Sequence, residues 1–125
     1  RGNAIINEVN VSFIESDLFS NIEGRFDIIV SNPPYIPKDD IKELSKEVRD
    51  YEPHLALDGR EDGLYYYRQI AKELAQYLKP KGFVFFEIGY NQAEALIEIL
   101  EAEGIKEIEV IKDLAGLDRI IKGRL

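Results

Sequence analysis

The chain has 125 residues, 45% hydrophobic and 32% charged, with a formal net charge of −8 and neither cysteine nor methionine. That is enough sequence for one core. The lack of cysteine excludes disulfides, thiolate metal sites and a cysteine nucleophile. No apolar run approaches the roughly 20 residues of a membrane span, and no signal-peptide pattern precedes the first element. Lysines and arginines are scattered among acids, which argues against a grip on a phosphate backbone. A chain that opens on Arg1 and holds no methionine reads as a piece of a longer protein, and its composition fits the cytoplasm.

Residues 1–7 read as the end of a helix, with Ala4 and Ile5 as core contacts. Val9, Val11 and Phe13 then alternate with the period of a half-buried strand, which ends at a turn over residues 15–19. Gly24 breaks the next loop, and the apolar run at residues 26–31 reads as a buried strand. It stops at Asn32-Pro33-Pro34-Tyr35, because neither proline can donate to a ladder and the residue before each is pushed towards extended geometry. A stiff loop at the carboxyl end of a strand is where open α/β sheets place ligands. Asn32 offers a side-chain carbonyl acceptor, Pro33 a main-chain carbonyl with no neighbouring N–H to occupy it, and Tyr35 a flat ring. Two acceptors and a ring can hold a planar –NH2 group. The plain alternative is a strand-ending turn with a packed tyrosine.

Further on, Asp39 or Asp40 caps a helix whose apolar positions Ile41, Leu44, Val48 and Tyr51 share one face. Residues 51–63 form an irregular loop with apolar residues of its own, a pattern typical of functional loops. Leu64, Tyr67, Ala71, Leu74 and Leu78 trace a second helix, stopped by Pro80-Lys81-Gly82. The run at residues 83–88 reads as a strand covered on both faces. A third helix carries Ala93, Leu96, Ile97 and Leu100 and stops at Gly104. Ile108 and Val110, with Ile105 near the start, mark a strand, and residues 118–125 the last one, the two pairing as a hairpin. The alternation predicts an α/β fold with a mainly parallel sheet. No Gly-rich strand-to-helix turn is present to cradle a nucleotide-like cofactor, and no cluster has metal-ligand spacing.

Taken together, Asp27-Ile28-Ile29-Val30-Ser31-Asn32-Pro33-Pro34-Tyr35-Ile36-Pro37 resembles the signature of HemK/PrmC-type S-adenosylmethionine-dependent protein glutamine methyltransferases. The Asn-Pro-Pro-Tyr core alone is shared with enzymes that methylate amino groups of nucleic acids. The similarity continues through Glu47-Val48-Arg49, Tyr51-Glu52-Pro53, Ala56-Leu57-Asp58-Gly59, Asp62-Gly63-Leu64 and Tyr67-Arg68. It also takes in Glu87-Ile88-Gly89 with Gln92, and Lys112-Asp113-Leu114-Ala115-Gly116 with Asp118-Arg119.

The resemblance implies a Rossmann-like class I methyltransferase sheet, ordered third, second, first, fourth, fifth, seventh, sixth strand. Residues 1–125 would be the C-terminal portion of that catalytic domain, an incomplete sheet lacking the first two strands and the Gly-rich cofactor loop. Exposed apolar edges would then favour self-association. The implied activity is transfer of a methyl group from S-adenosylmethionine to a glutamine side-chain amide in a protein, a translation release factor. Asn32, Pro33 and Tyr35 would be catalytic, with Pro34 joining them in binding substrate, while Asp17, Leu18 and Asn32 would meet the cofactor. The piece itself is expected to be inactive and to bind cofactor negligibly. The competing expectations are methylation of an exocyclic amine of adenine or cytosine, and a non-catalytic assembled fragment. The charge of −8 favours a protein over nucleic acid as direct substrate; no membrane and no metal are expected.

An amide nitrogen is a poor nucleophile because its lone pair is delocalised, so holding it in a fixed geometry is the main catalytic task, worth roughly 7–11 kcal/mol at best. For Asp17 the plain alternative is an aspartate capping the turn before Phe19. Glu52, Pro53 and Asp58 either shape a glutamine pocket or stabilise a turn. His54, the only histidine, is assigned no role. Glu87 either borders the site or is a capped buried acid, and Asp113 and Arg119 pair to lock the last two strands. Of Tyr65, Tyr66 and Tyr67, helical spacing sends only Tyr67 to the core.

Overall fold

The computed structural model describes residues 1–37, 60 and 62–125. The helix expected around Ile41 and Tyr51, and the loop residues Glu52, Pro53, His54 and Asp58, lie outside the described residues. The elements in chain order are α1 (Gly2–Ile6), β1 (Phe26–Ser31), α2 (Tyr65–Tyr77), β2 (Leu78–Glu87), α3 (Ala93–Ala102), β3 (Lys106–Lys112) and β4 (Asp118–Arg124). The four strands form one sheet in the order β1-β2-β4-β3.

The apolar periodicity places the core. Tyr67, Ile70, Ala71 and Leu74 line the buried stripe of α2, and Leu96 and Leu100 that of α3. Along β2, Val84 and Phe86 are fully buried while Phe83 and Phe85, which alternate with them, are half-buried. The register sets Ile29 beside Val84 and Ser31 beside Phe86, with Gly123 and Ile121 of β4 across from the same two. This face meets the helices, and its side chains join Tyr67, Leu74, Leu96 and Leu100 in one cluster. Ile28 and Val30 lie beside Phe83 and Phe85 on the opposite face.

The incomplete α/β sheet expected from the sequence is present, with differences in detail. One pairing is parallel, β1 with β2, while β2–β4 and β3–β4 are antiparallel, so the sheet is not mainly parallel. The β3–β4 hairpin forms as expected. β1 is an edge rather than a buried strand, and Phe26, Ile28 and Val30 are 41%, 56% and 74% exposed. Residues 9–13 form no strand: alternation alone cannot hold a strand that has no ladder partner. Val9, Val11 and Phe13 are exposed, as is Ile5 of α1, which was expected in the core. β2 begins at Leu78, ahead of the expected Phe83. The register with β1 jumps between Leu78 and Phe83, and Pro80 sits in this irregularity, where a strand tolerates proline.

Candidate active site

Because β1 and β2 are parallel and Ser31 lies beside Phe86, both strands end on the same side of the sheet. The Asn32–Tyr35 loop therefore leaves β1 next to the turn that follows Glu87. Pro33 is buried and Asn32 exposed, so a proline anchor presents an amide side chain to solvent. That side chain makes no hydrogen bond to another described residue, which leaves its carbonyl oxygen available as an acceptor.

Tyr35 is half-buried and held at both ends. Its hydroxyl donates to Glu87 Oε1 at 3.4 Å and accepts from Arg119 Nη1 at 3.5 Å. Burial, and the Glu87 carboxylate beside it, raise its pKa above the ordinary 10.0, so the hydroxyl stays protonated. The main-chain carbonyl of Tyr35 accepts from Gln92 Nε2 at 2.8 Å. The same Nε2 donates to the Gly63 carbonyl at 3.3 Å, and Gln92 Oε1 accepts from the Gly89 N–H at 2.9 Å. Tyr67 donates its hydroxyl to the Glu87 carbonyl at 2.5 Å and meets Phe86 edge-to-face at 5.4 Å.

Two acid–base pairs brace this ring of contacts. Arg119 Nη2 lies 3.3 Å from Asp113 Oδ2, the pairing expected across the hairpin. Asp113 Oδ1 also accepts from the Ala115 and Leu117 N–H groups at 2.9 and 3.0 Å, and these bonds, with Arg119, hold its carboxyl below the usual 3.8. Asp62 accepts from the Leu64 N–H at 2.9 Å ahead of α2 and pairs with Arg68, whose hydrogen bond lowers the Asp62 pKa.

Asp17 and Leu18 stand in a turn built by serines rather than by the aspartate. Ser16 Oγ donates to the Leu18 carbonyl at 2.9 Å and accepts from the Asn21 N–H at 2.9 Å, and Ser20 Oγ accepts from the Asp17 N–H at 3.2 Å. The Asp17 carboxylate makes no hydrogen bond to another described residue, so turn capping does not occupy it. Asp17 and Leu18 line a concavity of about 260 Å³ with Arg60, Tyr65, Tyr66 and Gln69. The guanidinium of Arg60 lies 4.8 Å from the Tyr65 ring centre. Asn32 does not line this concavity, so among the described residues the expected cofactor contacts fall in two places.

The structure thus gathers Asn32, Pro33, Pro34 and Tyr35 at one strand end and leaves Asp17 and Leu18 in a separate hollow. It adds Gln92, Gly63 and Tyr67, for which the sequence alone indicated no part in the site. For Gln92 the available signal was an amide three residues after Gly89, at the start of an apolar helix. Glu87 borders the site, one of the two expectations for it. Tyr67 is the tyrosine that enters the core, at 0% exposure. Among the described residues no helix is long and apolar enough to cross a membrane.

The profile of the family described as Eco57I restriction-modification methylase matches residues 2–108. The chain belongs to this methylase family. The chain is 46% identical over 122 residues to the release factor glutamine methyltransferase of Fusobacterium nucleatum subsp. nucleatum, covering 95% of this chain and 34% of that protein. The resemblance to HemK/PrmC-type methyltransferases is borne out by this and further relatives of the same name. Among solved structures, the release factor-specific protein-(glutamine-N5) methyltransferase of Alicyclobacillus acidocaldarius superposes with a TM-score of 0.51 at 29% identity, over 80% of this chain and 48% of that one. A methyltransferase of Pyrococcus furiosus, 19% identical, shares the fold with a TM-score of 0.69 over 98% of this chain and 54% of its own. The fold is that of a partial class I methyltransferase sheet. The chain spans roughly a third to a half of the length of these proteins.

Proposed function

We propose that the protein transfers a methyl group from S-adenosylmethionine to the side-chain amide nitrogen of a glutamine in a peptide chain release factor. The observation that carries this reading is the exposed, unoccupied Asn32 side chain on the buried Pro33, at the carboxyl end of a strand in a parallel pair. A primary amide has two N–H bonds in one plane. Asn32 Oδ1 and the Pro33 carbonyl can accept one each, and the Tyr35 ring can lie against the flat face of the group. Held so, the nitrogen loses rotational freedom before reaction, and the two acceptors favour positive charge developing on it. Tyr35 serves as an oriented neutral surface, its hydroxyl held between Glu87 and Arg119. The methyl donor is the one implied by the resemblance. Asp17 and Leu18 remain the residues proposed for its adenine, and Asn32 for its methyl-bearing end. We place the protein in the cytoplasm, where release factors act.

A second reading is methylation of an exocyclic amine of adenine or cytosine. It is favoured by the description of the matching family as restriction-modification methylase, since an exocyclic amine is also a planar –NH2 group. The names of relatives above 40% identity and the net charge of −8 favour the protein substrate, because extracting a base is usually coupled to a basic groove. The discriminating experiment incubates the protein, expressed from its complete reading frame, with methyl-labelled cofactor and either release factor or DNA and RNA. Label on the release factor is the expected result, and label on nucleic acid alone would overturn the reading.

A further inference from the structure

We propose that Gln92 is the positioning residue of the amide clamp, fixing the geometry of the Asn32–Tyr35 loop without touching the substrate. The inference rests on the reading of that loop as a binder of a planar amino group. Gln92 is the one buried polar side chain among the described residues, at 6% exposure. It stands at the N-cap position of α3, yet its side chain does not cap that helix. All three of its amide bonds leave the helix instead. Oε1 takes the Gly89 N–H at the turn after β2, and the two Nε2 hydrogens reach the carbonyls of Tyr35 and Gly63.

These bonds tie three segments that the chain brings together from far apart: the clamp loop, the turn before α2 and the exit of β2. The clamp begins where the β1 ladder ends, and its prolines fix two φ angles. Gln92 Nε2, 57 residues away, bonds the Tyr35 carbonyl and so orients the peptide plane after Tyr35. The close fit of Gly63 belongs to the same arrangement. A Cβ there would collide with the Tyr35 carbonyl and come within 2.7 Å of Gln92 Nε2. With the Gln92 donors removed, the Tyr35 carbonyl loses its partner, and the peptide plane can turn away with the Pro33 carbonyl behind it. A misplacement of about 1 Å at a reacting group can cost on the order of 100-fold in rate.

The test compares wild type with Gln92→Glu and Gln92→Met in the protein expressed from its complete reading frame. Gln92→Glu keeps the acceptor for Gly89 and removes both donors at nearly unchanged volume, while Gln92→Met keeps the volume and removes all three bonds. Both are expected to lower kcat by about 10- to 100-fold. KM for the acceptor and the cofactor Kd should stay within about threefold, and melting should remain cooperative. Wild-type kcat in either variant, or a loss explained by the unfolded fraction alone, would overturn the proposal. Failure of the functional reading looks different, because wild type would then leave release factor unmethylated, and the comparison is made on whichever amine wild type does methylate. A readout independent of turnover is the 19F resonance of 3-fluorotyrosine at Tyr35, identified by its loss in Tyr35→Phe. It should move in both Gln92 variants, and an unmoved resonance would contradict the proposal.

Discussion

The hydroxyl of Tyr67 donates a 2.5 Å hydrogen bond to the main-chain carbonyl of Glu87, joining the first turn of α2 to the last residue of β2. Tyr67 is fully buried and Glu87 half-buried. Tyr67→Phe keeps the ring against Phe86 and leaves the Glu87 carbonyl without this partner. The expected loss is about 1–3 kcal/mol of stability, read as a lower urea midpoint at unchanged slope. A midpoint equal to wild type would mean that the carbonyl finds another donor.

Gly63 has φ of +76° and faces the Tyr35 carbonyl and Gln92 Nε2. Gly63→Ala therefore meets both a strained backbone and an occupied space. Overpacking of this kind costs about 1–3 kcal/mol, and here it also pushes on the clamp. Turnover per folded molecule should fall along with the melting temperature. A variant that melts lower but turns over normally when folded would show that the clamp does not feel Gly63.

Acidification should weaken the β3–β4 turn. The Asp113 carboxyl is held below its ordinary 3.8 by the Leu117 and Ala115 N–H groups and by Arg119. A depressed folded pKa means that the unfolded chain binds the proton more readily. The contribution is therefore complete above the unfolded value and is lost as pH falls through the folded one. Thermal melts should show wild type losing part of its advantage over Asp113→Ala as pH drops from neutral to below 3.8. Parallel curves across that range would contradict the assignment.

Among the described residues, the edge of β1 beside Ile28 and Val30 pairs with no further strand. Such an edge is a template for another strand, and the 125-residue chain is expected to self-associate through it. Val30→Lys places a charge on that edge and should hold the chain monomeric, as read by light scattering across a concentration series. A wild-type chain that stays monomeric throughout would refute this.

The sequence made the described helices and the β3–β4 hairpin legible because each carries its own local pattern. Leu64, Tyr67, Ala71 and Leu74 repeat at helical spacing, and Asp113 with its following turn stands between two apolar runs. The stiff loop was legible for a similar local reason, since Asn32-Pro33-Pro34-Tyr35 dictates its own stiffness. Strand fates were harder to read because they depend on partners. Residues 9–13 alternate as a strand should, yet nothing in that stretch reports whether a ladder stands beside it. The buried-looking run of β1 became an edge for the same reason. Gln92 was legible as a motif residue but not as a staple, because its three partners lie on other segments and only the folded chain brings them together.

The most direct test of the central claim is the position of the transferred methyl group. Wild type and Asn32→Ala, both expressed from the complete reading frame, are incubated with S-adenosylmethionine and release factor, and the product is sequenced by mass spectrometry. Wild type should place one methyl on a glutamine side-chain nitrogen. Asn32→Ala should be slower by on the order of 100-fold, with cofactor affinity little changed. Near-wild-type turnover in Asn32→Ala, or methyl appearing only on nucleic acid, would contradict the amide clamp.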